Sequence, residues 1–168
     1  MLSPCPFSQW GMDIVGPFPL ATRQRKFLLV VIDYFKKWVE AESLAHITEG
    51  EVMKFIWKNI ICHFELPREI ISDDGQQFQE RMIIDWYTRL HIKQRFTSVS
   101  HPQANGQVEV TNRILVQDIK KRLDRSGGNW VEELTSVLWS YRTTPRSSTG
   151  ESPFSLVYGT KALIPAEL

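Results

Sequence analysis

Residues 27–35 read FLLVVIDYF, a nearly unbroken run of apolar, β-prone side chains. A strand with one wet face alternates polar and apolar residues, so a run like this one has to be covered on both faces. That requirement forces a layered fold with this strand near the middle of a sheet. The preceding WGMDIVGPF reads as a partner strand, and the short polar stretch ATRQRK between the two suits a hairpin. WVEAESLA after Lys36 and Lys37 reads as a third strand, which gives an antiparallel meander.

The pattern then changes period. Thr48 with Glu51 three residues later forms a capping box, and Val52, Ile56 and Ile60, with Phe55 beside them, recur at helical spacing. This predicts a helix over about 49–63, ended by Leu66-Pro67. REIISD is then a strand, QQFQERMIIDWYTRL a helix and IKQRFTSV a strand, an order that implies parallel pairing through a crossover. SHPQANGQ is a loop, followed by a long helix over about 105–124 and a break at Gly127-Gly128. Asn129 can cap a further helix, WVEELTSVLWSYR, with Leu134, Leu138 and Tyr141 on one face, and Ser152-Pro153 opens a last short helix that Gly159 closes. The expected architecture is α/β: a five-stranded mixed sheet, three strands antiparallel and two parallel, with helices on both faces. One domain spans 1–168, its core elements at about 8–125 and its C-terminal helices at about 129–160.

Composition bounds the function more than it reveals it. At 168 residues, 42% hydrophobic and 23% charged, the chain can bury a substantial core. No apolar run approaches the roughly 18 to 20 residues a membrane helix needs, and MLSPCPFSQW lacks the basic and apolar regions of a signal peptide, so an intracellular location is expected. Cys5 and Cys62 are too few for a disulfide framework, read as small apolar residues, and offer no zinc spacing with His63. Net charge is +1, but residues 1–84 carry 9 Lys+Arg against 11 Asp+Glu while residues 85–146 carry 10 against 6. A polyanion would therefore meet the second half.

Three carboxylates stand out by position. Asp13 lies inside the first strand between Met12 and Ile14; Asp73 and Asp74 end the fourth strand in SDDGQQF; Glu109 lies near the start of the long helix. Each has an ordinary reading by itself: a solvent-facing strand residue, an Asp-Gly turn, and a surface pair with Arg113. At 100° per residue, Glu109, Arg113 and Lys120 fall within about 40° of one another, apart from the apolar stripe of Val108, Leu115 and Ile119. Taken together, an acid on the first strand, one ending the fourth and one on the following helix can converge at the sheet's edge. Converging carboxylates repel unless cations sit among them, and oxygen ligands suit Mg2+ or Mn2+. Two such ions about 4 Å apart clamp the attacking and leaving oxygens of an in-line phosphoryl displacement.

At these residues the chain resembles a known family. WGMDIVGPFP, KFLLVVIDYFKKWVEAE, PREIISDDGQQF, HPQANGQVEVTNRIL and WVEELTSVLWSYRTTPRSSTGESPFSLVYG are similar to the integrase core of gypsy-type long-terminal-repeat retrotransposons, plant ones in particular, over practically the whole chain. The family signature is two Asp and a Glu with 35 residues between the second Asp and the Glu, and 109 − 73 − 1 = 35 here. The resemblance, with the element order, implies a ribonuclease H-like fold. It implies 3'-end processing and strand transfer of element DNA into target DNA, with two Mg2+ (or Mn2+) held by Asp13, Asp73 and Glu109. It also implies DNA contacts at Asn112 and Arg113, with Lys120 on the same basic face and Gln103 and Asn105 on the loop before the helix.

Double-stranded DNA is the implied partner, the full-length enzyme being an oligomer that works in the nucleus, with no membrane and no zinc in this chain. The stretch looks like a core excised from a longer polyprotein. A ribonuclease H-like nuclease, or an inactive or domesticated integrase remnant that binds DNA and assembles, would share the same sheet. Six tryptophans, Trp10, Trp38, Trp57, Trp86, Trp130 and Trp139, read as core or subunit contacts, and Asp33 as structural. The spacing selects Asp73 over Asp74, and Asp74 stands where relatives most often carry Asn.

Overall fold

The computed structural model describes residues 5–73, 75–97, 106–147 and 149–160, and for Gln76 and residues 106–109 the backbone alone. Five strands, β1 (Gln9–Val15), β2 (Phe27–Asp33), β3 (Val39–Leu44), β4 (Glu69–Ser72) and β5 (Lys93–Phe96), form one sheet in the order β3-β2-β1-β4-β5. β1 pairs antiparallel with β2, and β2 with β3, while β1–β4 and β4–β5 are parallel. This is the mixed sheet the sequence predicts. The helices are α1 (Glu49–Ile56), α2 (Arg81–Arg89), α3 (Gly106–Asp124), α4 (Trp130–Thr143) and α5 (Pro153–Tyr158).

The apolar run in β2 is covered on both sides, as its composition demands. Leu29 and Val31 pack with Trp10, Met12 and Ile70 beneath α1 and α2, whereas Leu28, Val30 and Ile32 pack with Leu115, Val116, Ile119 and Leu123 of α3 and Leu134, Leu138 and Tyr141 of α4. Strand parity therefore sorts β1: Trp10 and Met12 face α1, and Gly11, Asp13 and Val15 face α3.

Four boundaries differ from expectation. β1 stops at Val15, ahead of Pro17, which has no N–H to give the ladder. α1 ends at Ile56 and continues as a π turn over Trp57–Ile61, which keeps Ile60 fully buried beside Val52, Phe55 and Ile56. The predicted helix from Gln76 breaks into a 3-10 turn, Gln76–Phe78, and α2, because fully buried Phe78 anchors the turn and Glu80 is extended (φ −66°, ψ 147°). Asn129 ends a 3-10 turn, Gly127–Asn129, with φ −93° and ψ 12°, and its side chain makes no capping bond. A cap residue must be extended for its side chain to reach back. The start of α4 is fixed instead by Trp130, whose Nε1 donates to Pro19 O (2.8 Å) and whose ring stacks on Phe18 at 4.4 Å.

The expected caps elsewhere form: Thr48 accepts from Glu51 N at 3.2 Å, Ser152 from Ser155 N at 3.1 Å, and Gly159 is left-handed at φ 71°. Both cysteines are exposed, because Cys5 precedes the first strand and Cys62 follows the π turn, so neither is the core residue its apolar character suggests. Trp10, Trp38 and Trp130 are buried, while Trp57 and Trp139 are 50% and 38% exposed. Among the described residues no helix is long and apolar enough to cross a membrane.

Candidate active site

The parallel register of β1 and β4 brings two aspartates together. Gly11 lies opposite Ile71, and two residues further along each chain stand Asp13 and Asp73, on the α3 side of neighbouring strands about 4.8 Å apart. Both line one cavity of about 150 Å³. Asp73 sits just beyond β4, where its Oδ1 accepts from Gly75 N at 2.9 Å in an Asx turn. A side chain at Gly75 would crowd this turn. A Cβ on Gly75 would come within 2.9 Å of Asp73 Oδ1 and 2.6 Å of Gln77 Nε2. The Asp-Gly turn signal and the placing of Asp73 in the cavity are thus one feature. Asp74 lies outside the described residues.

The opposite wall comes from α3. Its buried stripe of Leu115, Val116, Ile119 and Leu123 seats the helix on the sheet, which brings Asn112, Arg113 and Val116 to the cavity. Glu109 is in the first turn of α3, three and four residues ahead of Asn112 and Arg113 in the chain. Its side chain, like that of Val108, lies outside the described residues. Gln103 and Asn105 lie outside them altogether.

Burial raises the pKa of Asp13; the Ile14 N–H donated to Oδ1 at 2.8 Å opposes this, the negative charge of Asp73 adds to it, and the Arg113 guanidinium partly offsets it. A partly buried carboxylate, Asp13, therefore shares the cavity with an exposed one, Asp73, and the Arg113 guanidinium offsets only part of the charge. That donor set, hard oxygens with uncompensated negative charge, fits a divalent cation such as Mg2+ or Mn2+. No group of three metal-ligating side chains occurs among the described residues, and the third carboxylate the sequence proposes belongs to Glu109.

The predicted DNA contacts divide. Arg113 is exposed at the cavity. Asn112 lines it too but is only 7% exposed, with Oδ1 accepting from Lys37 Nζ at 3.1 Å. Lys120 lies away from the cavity: it pairs with Asp124 at 2.8 Å, one turn along, and sits 5.5 Å from the Phe18 ring centroid. Its helical angle is right, but it lies nearly two turns beyond Arg113. Sequence reasoning passed over Tyr34, Ser72 and Thr97, which also line the cavity, and Lys37, which reaches its wall. Ser72 and Thr97 end adjacent parallel strands, with Thr97 N donating to Ser72 O at 2.8 Å, so the strand ends that flag Asp73 could have flagged them.

The five-stranded mixed sheet is that of ribonuclease H-like cores, here with Asp13 inside β1 and Asp73 just beyond β4 at one cavity, and comparison with known proteins gives the family. The family profile of the integrase core domain matches residues 3–102, and the chain belongs to that family. It is 38% identical over 156 residues to the Gag-Pol polyprotein of avian reticuloendotheliosis virus, covering 93% of this chain and 13% of the polyprotein. It is 26% identical over 161 residues to the gypsy retrotransposon integrase-like protein 1 of Macaca fascicularis, covering 95% of this chain and 30% of that protein. The chain thus spans only a small part of the relatives it matches. Among solved structures it superposes on the HTLV-2 integrase catalytic core domain in complex with magnesium (trimeric form), with a TM-score of 0.66 at 21% identity, over 90% of this chain and 96% of that one. The fold is the ribonuclease H-like one that the element order predicts.

Proposed function

We propose that this chain is the catalytic core of a gypsy-type retrotransposon integrase, carrying out metal-dependent 3'-end processing and strand transfer of element DNA into target DNA. The observation behind this reading is the β1–β4 register, which sets Asp13 beside Asp73 in a cavity that Arg113 walls from α3. Asp13, Asp73 and Glu109 would hold two Mg2+ or Mn2+. When bound, such ions lower the pKa of the attacking hydroxyl or water and neutralise charge on the leaving oxygen.

The chain's own residues supply placement and charge. The Asx turn to Gly75 holds one oxygen of Asp73 still, and the Ile14 N–H does the same for Asp13. Each carboxylate keeps a second oxygen that makes no hydrogen bond among the described residues. Arg113, exposed at the cavity mouth, binds a DNA phosphate, and its guanidinium charge draws the backbone toward the carboxylates. Contacts to phosphate rather than to bases make target binding tolerant of sequence and sensitive to salt. The 38% identity to a Gag-Pol region supports a polyprotein origin, and the HTLV-2 core's trimeric form supports assembly of more than one copy.

The test is a Mn2+-dependent joining assay with a preprocessed DNA end, wild type beside Glu109→Gln. Joining by the first and none by the second supports the integrase reading. Cutting without joining would identify a hydrolase instead.

A further inference from the structure

We infer that Lys37 is a positioning residue, whose bond to Asn112 sets where the first half of α3 rests on β1, and so how Arg113 meets the carboxylate pair. The inference rests on the functional reading above. Its starting point is that Lys37 is in the wrong conformation for a lysine. It occupies the turn between β2 and β3 at φ +61°, a region glycine adopts without strain.

The turn does not need the Lys37 side chain. Its shape is held by Lys37 N donating to Asp33 O (2.9 Å), Asp33 N donating to Trp38 O (2.9 Å) and Lys36 N donating to Asp33 Oδ2 (2.6 Å). The side chain instead leaves the turn, passes 5.9 Å from the Tyr34 ring centroid and donates from Nζ to Asn112 Oδ1 on α3 at 3.1 Å. The ammonium is partly buried against a neutral acceptor, and burial lowers its pKa while Asp33 opposes that.

The bond fixes the orientation of the amide. With Oδ1 committed to Lys37, Nδ2 turns the other way, where it is buried with no hydrogen-bond partner among the described residues. It lies 3.4 Å from where a Cβ on Gly11 would be, and Tyr34 closes the same space, 2.8 Å from that point. Asn112 is thus pressed onto β1 at Gly11, two residues before Asp13, while Arg113 follows it in α3. A left-handed lysine, a desolvated ammonium and an amide N–H without a partner among the described residues are each locally unfavourable. Their concurrence at one helix–strand contact beside the cavity marks a geometry kept for function rather than stability.

Lys37→Gly separates the alternatives, because it relieves the backbone while removing the clamp. The inference predicts a melting temperature equal to or above that of wild type, with the joining rate constant down about tenfold and the KM for DNA little changed. Lys37→Arg, which keeps a donor, restores part of the rate, and adding Lys37→Gly to Asn112→Ala causes no further loss. In metal-free protein, the Asn112 side-chain amide signals in a 15N NMR spectrum, slow to exchange in wild type, shift and exchange faster in Lys37→Gly. Joining at the wild-type rate by Lys37→Gly overturns the inference. So does a weaker metal-free affinity for DNA with unaltered Asn112 signals, which would make Lys37 a direct phosphate contact. If the wild type joins no DNA, the functional reading fails, and the amide signals alone decide whether Lys37 holds Asn112.

Discussion

Two strand aspartates, Asp33 on β2 and Asp13 on β1, sit near each other in one sheet and do opposite things. Asp33 is fully buried, and its two oxygens accept from Phe7 N (3.0 Å) and Lys36 N (2.6 Å). Burial still pushes its pKa up to about 6, against those hydrogen bonds. Asp13 is only partly buried, receives a single backbone N–H, and faces Asp73 across the cavity. The fold uses both oxygens of Asp33 to tie the N-terminal segment and the β2–β3 turn to the sheet. It leaves Asp13 under-compensated beside a second carboxylate. A carboxylate whose two oxygens are both taken by backbone donors is structural, whereas one that keeps an oxygen without a hydrogen bond among the described residues, beside a second carboxylate, is poised for a cation.

That contrast can be broken most forcefully at the cavity. Asp13→Asn or Asp73→Asn should cut the joining rate by roughly 10²–10³, the range for losing one preorganised electrostatic group, with the melting temperature unchanged or slightly raised because a like-charge pair disappears. Loss of fold in either variant would put these residues in the same class as Asp33. The next effect is one of pH. Because the folded-state pKa of Asp33 is raised from 3.8 to about 6, the folded protein holds that proton more tightly than the unfolded chain, so its contribution is fully present below pH 3.8. It is lost as pH rises through about 6, to a total of about 3 kcal/mol for about two units. Urea unfolding at pH 4 and pH 7 measures this, and Asp33→Asn should remove that component of the slope.

Asp33→Asn should also cost about 1–3 kcal/mol at pH 4, since an amide nitrogen would confront one of the two backbone donors, yet any folded protein should still join DNA. The smallest effect belongs to Arg113→Ala. DNA affinity should fall severalfold and the slope of log affinity against log salt should decrease by about 1, with thermal stability unchanged. An unaltered salt slope would remove Arg113 from the phosphate contacts.

Most of the fold was legible because the determinants are periodic. FLLVVIDYF specified a strand covered on both faces, and the Thr48 and Ser152 caps marked helix starts that formed as predicted. What escaped was set by tertiary demands: the π turn that keeps Ile60 inward, the break that lets Phe78 plug the core, and the Trp130 anchor that made capping by Asn129 unnecessary. At the site, the 35-residue spacing and strand order pointed to Asp13 and Asp73, and register brought that pair to one cavity. Helical angle alone could not separate Lys120 from Arg113, because it ignores distance along the axis. The Lys37–Asn112 contact spans 75 positions and carries no local signature.

The central claim is that the Asp13–Asp73 pair, and not Asp33, holds divalent cation. Calorimetric titration of Mn2+ into wild type, Asp73→Asn and Asp33→Asn at neutral pH tests it directly. The expected result is binding by wild type and Asp33→Asn, with at least a tenfold loss in Asp73→Asn. Equal Mn2+ affinity in wild type and Asp73→Asn would contradict the account.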